Sequence, residues 1–203
     1  MVRNKEWHHG KIIEAATAEF LEYGFADASM RRIASAAGMS ASGLYKHFAG
    51  KDEMFSALVE PAYQGLIAIF RGEESTQREL VEAGDVSEWE NGREAKLAIT
   101  YIYKHPDEFR LLVCKSQGTQ YENFLHDLAE QEEEITLSFM DALKKQGVKI
   151  RDFRRKELHL LTTANVNAIF QTVEHGFTKE EAMHYADTLD RFFSKAWQEF
   201  FGY

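Results

Sequence analysis

The stretch Met30–Phe55 reads MRRIASAAGMSASGLYKHFAGKDEMF, and it decides the fold of the N-terminal part of the chain. Ser29 can cap a short helix over residues 30–37, because a serine oxygen accepts backbone N–H groups at a helix start. Gly38 ends that helix, since glycine tolerates the positive φ of a tight turn. Two short helices joined at such a glycine are typical of a helix-turn-helix.

The second short helix of this pair is predicted over residues 41–47, with Ser40 as its cap. In a helix-turn-helix this second helix presents its N-terminal residues to the major groove of DNA. Apolar residues at compatible spacings predict a small core beneath it: Ile33, Ala37, Met39 and Leu44. The pattern therefore indicates DNA binding by the N-terminal residues.

Composition predicts an all-α fold for the chain. The 203 residues include only 2 prolines, and 44% of them are hydrophobic, which suits a helical protein with a sizeable core. A first helix is expected over residues 5–23, with Gly24 as its stop, and a further helix begins near Asp52. Pro61 should kink or end that helix, because an interior proline removes a backbone hydrogen bond.

The remaining residues predict a larger helical domain. Short helices and loops are expected from Gly72 to Gly92, then a helix beginning at Pro106 and three long helices over residues 120–145, 154–175 and 179–201. Four pairs have the spacing of a capping box: Thr76 with Glu79, Ser87 with Glu90, Thr119 with Glu122 and Thr178 with Glu181. The expected organisation is a DNA-binding domain over residues 1–55 and a second helical domain over residues 56–203.

The net charge of −9 is unevenly distributed. Residues 1–60 hold 7 Lys and Arg against 8 Asp and Glu, whereas residues 61–203 hold 17 against 25. An acidic body with a nearly neutral N-terminal part can still bind phosphates through a few cations, so charge alone neither supports nor excludes nucleic acid.

No apolar run approaches the ~20 residues of a membrane span, and no signal peptide is visible at the N-terminus. A cytoplasmic protein without membrane contact is therefore expected. The single cysteine, Cys114, follows three apolar residues and is predicted to be a buried, inert thiol.

The N-terminal stretch resembles the tetracycline-repressor (TetR) family from Ile12 to Phe55. The pairs Ala37–Gly38, Leu44–Tyr45 and His47–Phe48, followed by Lys51, stand at the family's spacings, and a Gly24–Phe25 turn precedes them. The resemblance implies a homodimer that binds a palindromic DNA operator and is released by a small-molecule effector. Relatives of this kind are mostly repressors, although activators exist.

By the same resemblance, Tyr45, His47 and Lys51 would bind DNA phosphates. Their chemistry is suitable, because a phenol, an imidazole and an ammonium near a helix start all donate hydrogen bonds to anions. Each also has a plainer explanation: Tyr45 can pack in the core, His47 can cap its helix, and Lys51 can be a solvated charge. Additional DNA contacts are expected from Ser29, Arg31, Ser40, Ala41, Ser42, Gly43 and Lys46.

The sequence departs from the family just after the capping serine. The family commonly has Lys or Arg, then Gly, then Thr, whereas this chain has Ala41, Ser42 and Gly43. These short side chains let the helix approach the groove closely but offer few bidentate base contacts.

Dimerisation is expected through the last two helices, where a broad apolar stripe runs from Ala182 to Phe200.

Aromatic side chains that either line an effector pocket or simply belong to the core are Phe109, Tyr121, Phe124 and Phe170. No catalytic residues, metal ligands or cofactor are predicted. GMSASG departs from the nucleophile-elbow spacing by one residue, and Glu122, His126 and Glu130 are interpreted as a solvated helix face. Two alternatives stay open: a helical-bundle enzyme or binding protein, and a DNA-binding regulator without an effector.

Overall fold

The computed structural model describes residues 2–82, 94–151 and 154–201, and within these ranges every regular element is an α-helix. This confirms the all-α prediction. The helices are α1 (Val2–Asp27), α2 (Met30–Ala36), α3 (Ala41–Leu44), α4 (Lys51–Glu82), α5 (Glu94–Ile102), α6 (Pro106–Cys114), α7 (Phe124–Lys145), α8 (Arg155–Glu174) and α9 (Lys179–Phe201). None of the helices in these ranges is both long and apolar enough to cross a membrane.

The chain forms two compact units that are discontinuous in sequence. The first unit combines residues 1–64 with residues 105–123, and the second combines residues 65–104 with residues 124–203. This grouping differs from a single division after residue 55, because α6 packs against α1 in the first unit. The backbone N–H of Phe25 also donates to the carbonyl of Lys115 at 3.1 Å.

An aromatic cluster forms the core of the first unit. The Phe55 ring meets Phe20 and Phe25 edge-on, with ring centroids 5.2 Å and 5.6 Å apart, and Phe20 and Phe55 are fully buried. Gly24 leaves the helical conformation with φ 74°, as its predicted role as a stop requires, although the chain turns helical again up to Asp27. The Phe25 ring thereby packs against Phe55 of α4.

Helix α4 continues through Pro61, so the predicted boundary there is wrong. A proline in a helix leaves the carbonyl four residues earlier without its donor, here that of Ala57. Both Ala57 and Pro61 lie on the exposed face of α4, where water can bond that carbonyl. The helix also runs through Thr76, so no helix begins there, and the pair Ser87–Glu90 lies outside the described residues.

The second unit packs α7 against α8 and α5 against α9. Between α7 and α8, Phe139, Met140, Leu143 and Leu158 form a buried cluster. The capping box at the start of α9 is confirmed: the backbone N–H of Thr178 donates to Glu181 at 2.7 Å, and that of Glu181 donates to the Thr178 hydroxyl at 3.3 Å.

Helix α7 begins four residues later than predicted, at Phe124. The Thr119 hydroxyl oxygen accepts the N–H of Tyr121 at 3.0 Å, and the Glu122 carboxylate accepts the N–H of Gly118 at 3.1 Å. These side chains stabilise a turn instead of a helix start.

Helix α6 begins at Pro106 as predicted. Cys114 at its end is exposed, contrary to the prediction of a buried thiol, because the preceding apolar residues Leu111 and Leu112 lie on the buried face.

One close approach in the second unit depends on a glycine. A Cβ placed on Gly65 of α4 would lie 1.8 Å from the Tyr101 hydroxyl oxygen and 2.6 Å from the ring carbon that carries it. The Tyr101 side chain therefore packs directly on the α4 backbone, in space that any other residue at position 65 would occupy.

Candidate nucleic-acid interface

Helix α2 is fixed by a buried carboxylate that sequence reasoning missed. Glu19 is 8% exposed, and one of its oxygens accepts the backbone N–H of Ser29 at 2.8 Å and the Nε–H of Arg32 at 2.7 Å. The hydrogen bond that Arg32 donates to Glu19 raises the pKa of Arg32. The sequence could have predicted the burial of Glu19, because Glu19 continues the i, i+4, i+7 face of α1 that carries Ile12 and Ala16.

The Arg32 guanidinium has further partners within the first unit. It donates to the carbonyl of Asp27 at 2.8 Å and lies 4.2 Å from the centre of the Tyr23 ring. Ser29 is the N-cap of α2 as predicted, and its hydroxyl accepts the N–H of Arg32 at 3.5 Å. Arg31 instead points its side chain to solvent. Of the two neighbouring arginines, Arg32 stabilises the contact between α2 and α1, whereas Arg31 is accessible to a ligand.

The turn between α2 and α3 needs its glycine. Gly38 has φ 71°, a conformation that L side chains rarely adopt. The chain then returns so that the N–H of Met39 donates to the carbonyl of Ala34 at 2.9 Å. Ile33, Ala37 and Leu44 are buried as predicted, Ala34 is buried beside them, and Met39 is half-buried. The predicted small core between the two helices is therefore confirmed in its main members.

Helix α3 begins at its predicted cap but is shorter than predicted. The Ser40 hydroxyl accepts the N–H of Gly43 at 3.1 Å and lies 3.1 Å from the Ser42 hydroxyl. The helix ends at Leu44, and the chain continues in tighter turns, in which the N–H of His47 donates to the carbonyl of Leu44 at 2.9 Å. Residues 45–47 thus follow α3 without belonging to it.

Three polar side chains after α3 are exposed together. Tyr45 is 53% exposed, and Lys46 and His47 are exposed beside it. Leu44 and Phe48, which flank them, are buried and anchor this segment. The exposure of Tyr45 is evidence against its assignment to the core. Within α3, Ser42 is exposed, and Ala41 and Gly43 are half-buried.

Lys51 has partners inside the protein. Its ammonium donates to the carbonyls of Phe25 at 2.7 Å and Ala26 at 2.8 Å, and lies 4.8 Å from the centre of the Phe25 ring. It is therefore not a solvated charge. Two of its three N–H donors are used to join the start of α4 to the end of α1.

The four predicted pocket aromatics are all buried but lie in different units. Phe109 and Tyr121 belong to the first unit, where the Tyr121 hydroxyl bonds the Glu60 carboxylate. Phe124 and Phe170 belong to the second, where their rings meet edge-on with centroids 5.3 Å apart. The second unit also contains a cleft, and none of these four aromatics lines it. Its lining residues are Ile67, Phe70, Arg71, Leu128, Gln131, Glu132, Glu134 and Ile135.

Comparisons with known proteins match this arrangement. Residues 12–58 fit the family model described as bacterial regulatory proteins, tetR family. The chain is 27% identical over 146 residues to the HTH-type transcriptional repressor Rv1474c of Mycobacterium tuberculosis, a match that covers 70% of this chain and 68% of that protein. It is 39% identical over 62 residues to the repressor KstR2 of the same organism, and this match covers 30% of this chain and 31% of KstR2.

Solved structures show the same fold. The regulator PfmR from Thermus thermophilus superposes with a TM-score of 0.59 at 23% identity, over 89% of this chain and 97% of that chain. A TetR-like regulator from Rhodococcus sp. RHA1 gives a TM-score of 0.59 at 21% identity, with 97% of each chain covered. The likeness to these structures thus extends beyond the residues that the family model matches.

Proposed function

We propose that this chain, whose residues 12–58 match the TetR family of bacterial regulatory proteins, is a DNA-binding transcriptional repressor that binds a palindromic operator as a homodimer and leaves it when a small molecule binds. One observation carries the DNA-binding part: three exposed polar side chains, Tyr45, Lys46 and His47, follow a capped helix anchored by the fully buried Leu44. In this proposal the protein acts by binding rather than catalysis, in the cytoplasm.

The proposed DNA contacts fall into two groups. Tyr45, Lys46, His47 and Arg31 would bind phosphates, because exposed donors that flank a recognition helix position it on the duplex. Ser40, Ala41, Ser42 and Gly43 would face the base edges, and Ser29 would contribute at the start of α2. With only hydroxyl groups and backbone on that face, base discrimination would be modest and would depend partly on DNA shape.

Lys51 has a more specific role in this proposal. Because two of its donors bond the end of α1, its remaining N–H would bind one phosphate at the start of α4. The internal hydrogen bonds hold the ammonium in place before DNA arrives, which reduces the entropy lost on binding. Lys51 would therefore combine a structural and a DNA-binding role.

Residues 1–55 would bind DNA and residues 56–203 would dimerise and bind the effector. Part of the predicted dimer stripe is already covered, because Ala182, Ala186 and Leu189 are buried within the second unit. Leu160 of α8 and Phe192 of α9 are 67% and 68% exposed, and they are the apolar groups that a two-fold interface would bury. We expect Phe192→Glu to give monomers in sedimentation, with Glu199→Lys as a control on the same helix; dimers of unchanged stability would exclude this interface.

The cleft in the second unit favours a regulator that binds an effector over a regulator that binds none. Its residues Ile67, Phe70 and Arg71 lie on α4, the helix that begins at Lys51. A ligand that binds one arrangement of α4 better than another shifts the equilibrium between them, with a coupling of typically ~1–3 kcal/mol. Pro61 would act as the compliant point of α4, because one hydrogen bond is absent there.

The decisive experiment measures salt-dependent mobility shifts on DNA flanking the protein's own gene. We expect specific retention, and we expect Lys46→Ala to lower the salt slope by about one, as loss of one phosphate contact requires. Lys156→Ala is the matched control, since Lys156 is an exposed lysine on α8. Absence of retention, or equal slopes for both variants, would contradict the proposal.

A further inference from the structure

Two histidines of the second unit face each other across α7 and α8. His126 lies in the first turn of α7 and His159 near the start of α8, and their ring centroids are 5.8 Å apart. Their side chains are 56% and 33% exposed, so solutes can reach both rings. The sequence pattern placed His126 with Glu130 on a solvated helix face, because His159 stands on another helix and is not part of that pattern.

A buried carboxylate on α7 orients the His159 ring. Glu133 is 5% exposed, and its two oxygens contact the Nε of Arg155 at 2.6 Å and the Nδ1 of His159 at 3.0 Å. A carboxylate paired with an arginine is ionised and can only accept, so the His159 Nδ1–H donates to it. The neutral imidazole then keeps its lone pair on Nε2. Histidines that bind metal ions are commonly held by a carboxylate in this way.

The separation of the two rings suits a single metal ion. A histidine nitrogen lies roughly 2.0–2.1 Å from Zn²⁺, which puts the ring centre about 3.2 Å from the ion. Two rings on one ion are then about 5.2 Å apart at the tetrahedral angle and about 6.4 Å apart at most. The observed 5.8 Å lies between these limits. The rings meet edge-on, so one ring must turn before both nitrogens face the ion, and the exposed His126 side chain has room to turn.

The charges around His159 favour a cation. The pKa of Arg155 is raised by its hydrogen bond to Glu133 and further by the negative charges of Glu134 and Glu130. Three carboxylates thus surround one guanidinium, and the guanidinium is paired with Glu133. Glu130 also lies beside the His126 ring, with its Oε1 3.5 Å from Nε2. A divalent cation between the two rings would therefore enter acidic surroundings.

We propose that His126 and His159 bind one divalent ion of the late first-row transition metals, represented by Zn²⁺, and that this ion joins α7 to α8. Among the described residues, no three His, Cys, Asp or Glu side chains are placed to hold a metal ion together. The two imidazoles are therefore the protein ligands, and water completes the coordination. Imidazole suits Zn²⁺, Cu²⁺ and Ni²⁺, whereas Mg²⁺ and Ca²⁺ prefer oxygen ligands. This inference goes beyond the proposed function and concerns the second unit alone.

The test titrates ZnCl₂ into the full-length protein by calorimetry, with MgCl₂ as an ion of equal charge. We expect saturable Zn²⁺ binding and at least hundredfold weaker Mg²⁺ binding. His126→Gln and His159→Gln should each weaken the Zn²⁺ site at least tenfold. His184→Gln is the matched control, because His184 is exposed on α9 with Glu180 one turn before it, and it should keep the native affinity. Equal affinities in the native and His159→Gln proteins would overturn the proposal, as would an equal loss in His184→Gln.

Thermal denaturation tests whether the ion stabilises the folded state. At a Zn²⁺ concentration a hundredfold above the dissociation constant, the Tm should rise by about 5–10 °C, because the ion binds the folded chain preferentially. The rise should be absent in His126→Gln, whose exposed position makes it the safer variant if His159→Gln does not fold. The same rise in His126→Gln as in the native chain would refute the site. Neither measurement uses DNA, so a negative result would leave the proposed function untouched.

Discussion

The helix-turn-helix and the C-terminal helices α7–α9 are stabilised by different means. Helices α2 and α3 have only 7 and 4 residues, and each begins at a serine whose hydroxyl accepts a backbone N–H. Helices α7, α8 and α9 have 22, 20 and 23 residues, and α7 and α8 share a buried apolar cluster. Short helices are marginal in water, so each depends on its cap and on a few buried side chains. The long helices depend on many side chains, so each single one matters less.

Leu44 gives the sharpest test of this difference, because it is fully buried and central to the DNA-binding segment. Leu44→Ala should lower the free energy of unfolding by about 2–5 kcal/mol, the usual cost of a leucine-to-alanine cavity. Operator binding should be lost at the same time. Urea denaturation and mobility shift measure the two effects, and Lys156→Ala, at an exposed position of α8, should change stability by less than about 0.5 kcal/mol. Comparable losses in both variants would remove the distinction.

A substitution at Gly65 tests whether a single site in the second unit can affect the free energy of unfolding as much as Leu44 does in the first. Gly65→Ala should destabilise the protein by about 1–3 kcal/mol, because the added methyl group overlaps the Tyr101 side chain. In a Tyr101→Ala background the sign should reverse, and the same substitution should stabilise by about 0.5–1 kcal/mol through helix propensity. A double-mutant cycle by thermal denaturation measures the coupling, and additive effects would contradict the close approach.

Equivalent caps in the two regions give a smaller effect with different consequences. Ser40→Ala and Thr178→Ala each remove a side-chain acceptor at a helix start, and each should cost ~1 kcal/mol. Only Ser40→Ala should also weaken operator binding, because it disturbs the helix that precedes Tyr45. Parallel stability and DNA measurements check this, and equal loss of DNA affinity in both variants would show that stability alone governs binding.

The smallest expected effect is a pH dependence at Glu133. The pKa of this carboxylate is lowered from 4.5 by its hydrogen bond with Arg155, so its contribution to stability is complete above the unfolded value and is lost as pH falls through the folded value. Thermal denaturation between pH 3 and 7 should show a steeper acid-side loss for the native chain than for Glu133→Gln. Glu134→Gln, at an exposed neighbouring position, should match the native profile.

Local signals allowed the helix-turn-helix to be predicted almost residue by residue. Ser29, Gly38 and Ser40 each act through one hydrogen bond or one backbone angle, and such effects can be recognised in a short stretch of sequence. The role of Lys51 could not be found this way, because its partners Phe25 and Ala26 stand 26 and 25 residues earlier. The burial of Glu19 could have been predicted from the apolar face of α1, but its partner Arg32 stands 13 residues later and could not be found this way.

Longer-range structure limited the prediction of the rest. Pro61 was expected to interrupt α4. Whether a proline ends a helix depends on whether the carbonyl that it leaves without a donor is exposed to water, and the sequence pattern around residue 61 does not predict that exposure. Thr119 and Glu122 have capping-box spacing, yet their hydrogen bonds form a turn. The predicted pocket aromatics were chosen by residue type alone, whereas the cleft lining depends on which faces of α4 and α7 meet.

The return of α6 to α1 has a consequence for synthesis of the protein. The first unit needs residues 105–123, since Phe25 bonds Lys115 and the ring of Tyr121 lies 6.1 Å from that of Phe55. The ribosome synthesises the helix-turn-helix early, but the partner segment begins only at residue 105. Until then the aromatic cluster of Phe20, Phe25 and Phe55 stays incompletely covered in the nascent chain. Closure of this long loop should be a late step in biogenesis, and the nascent N-terminal residues are those that a chaperone would meet first.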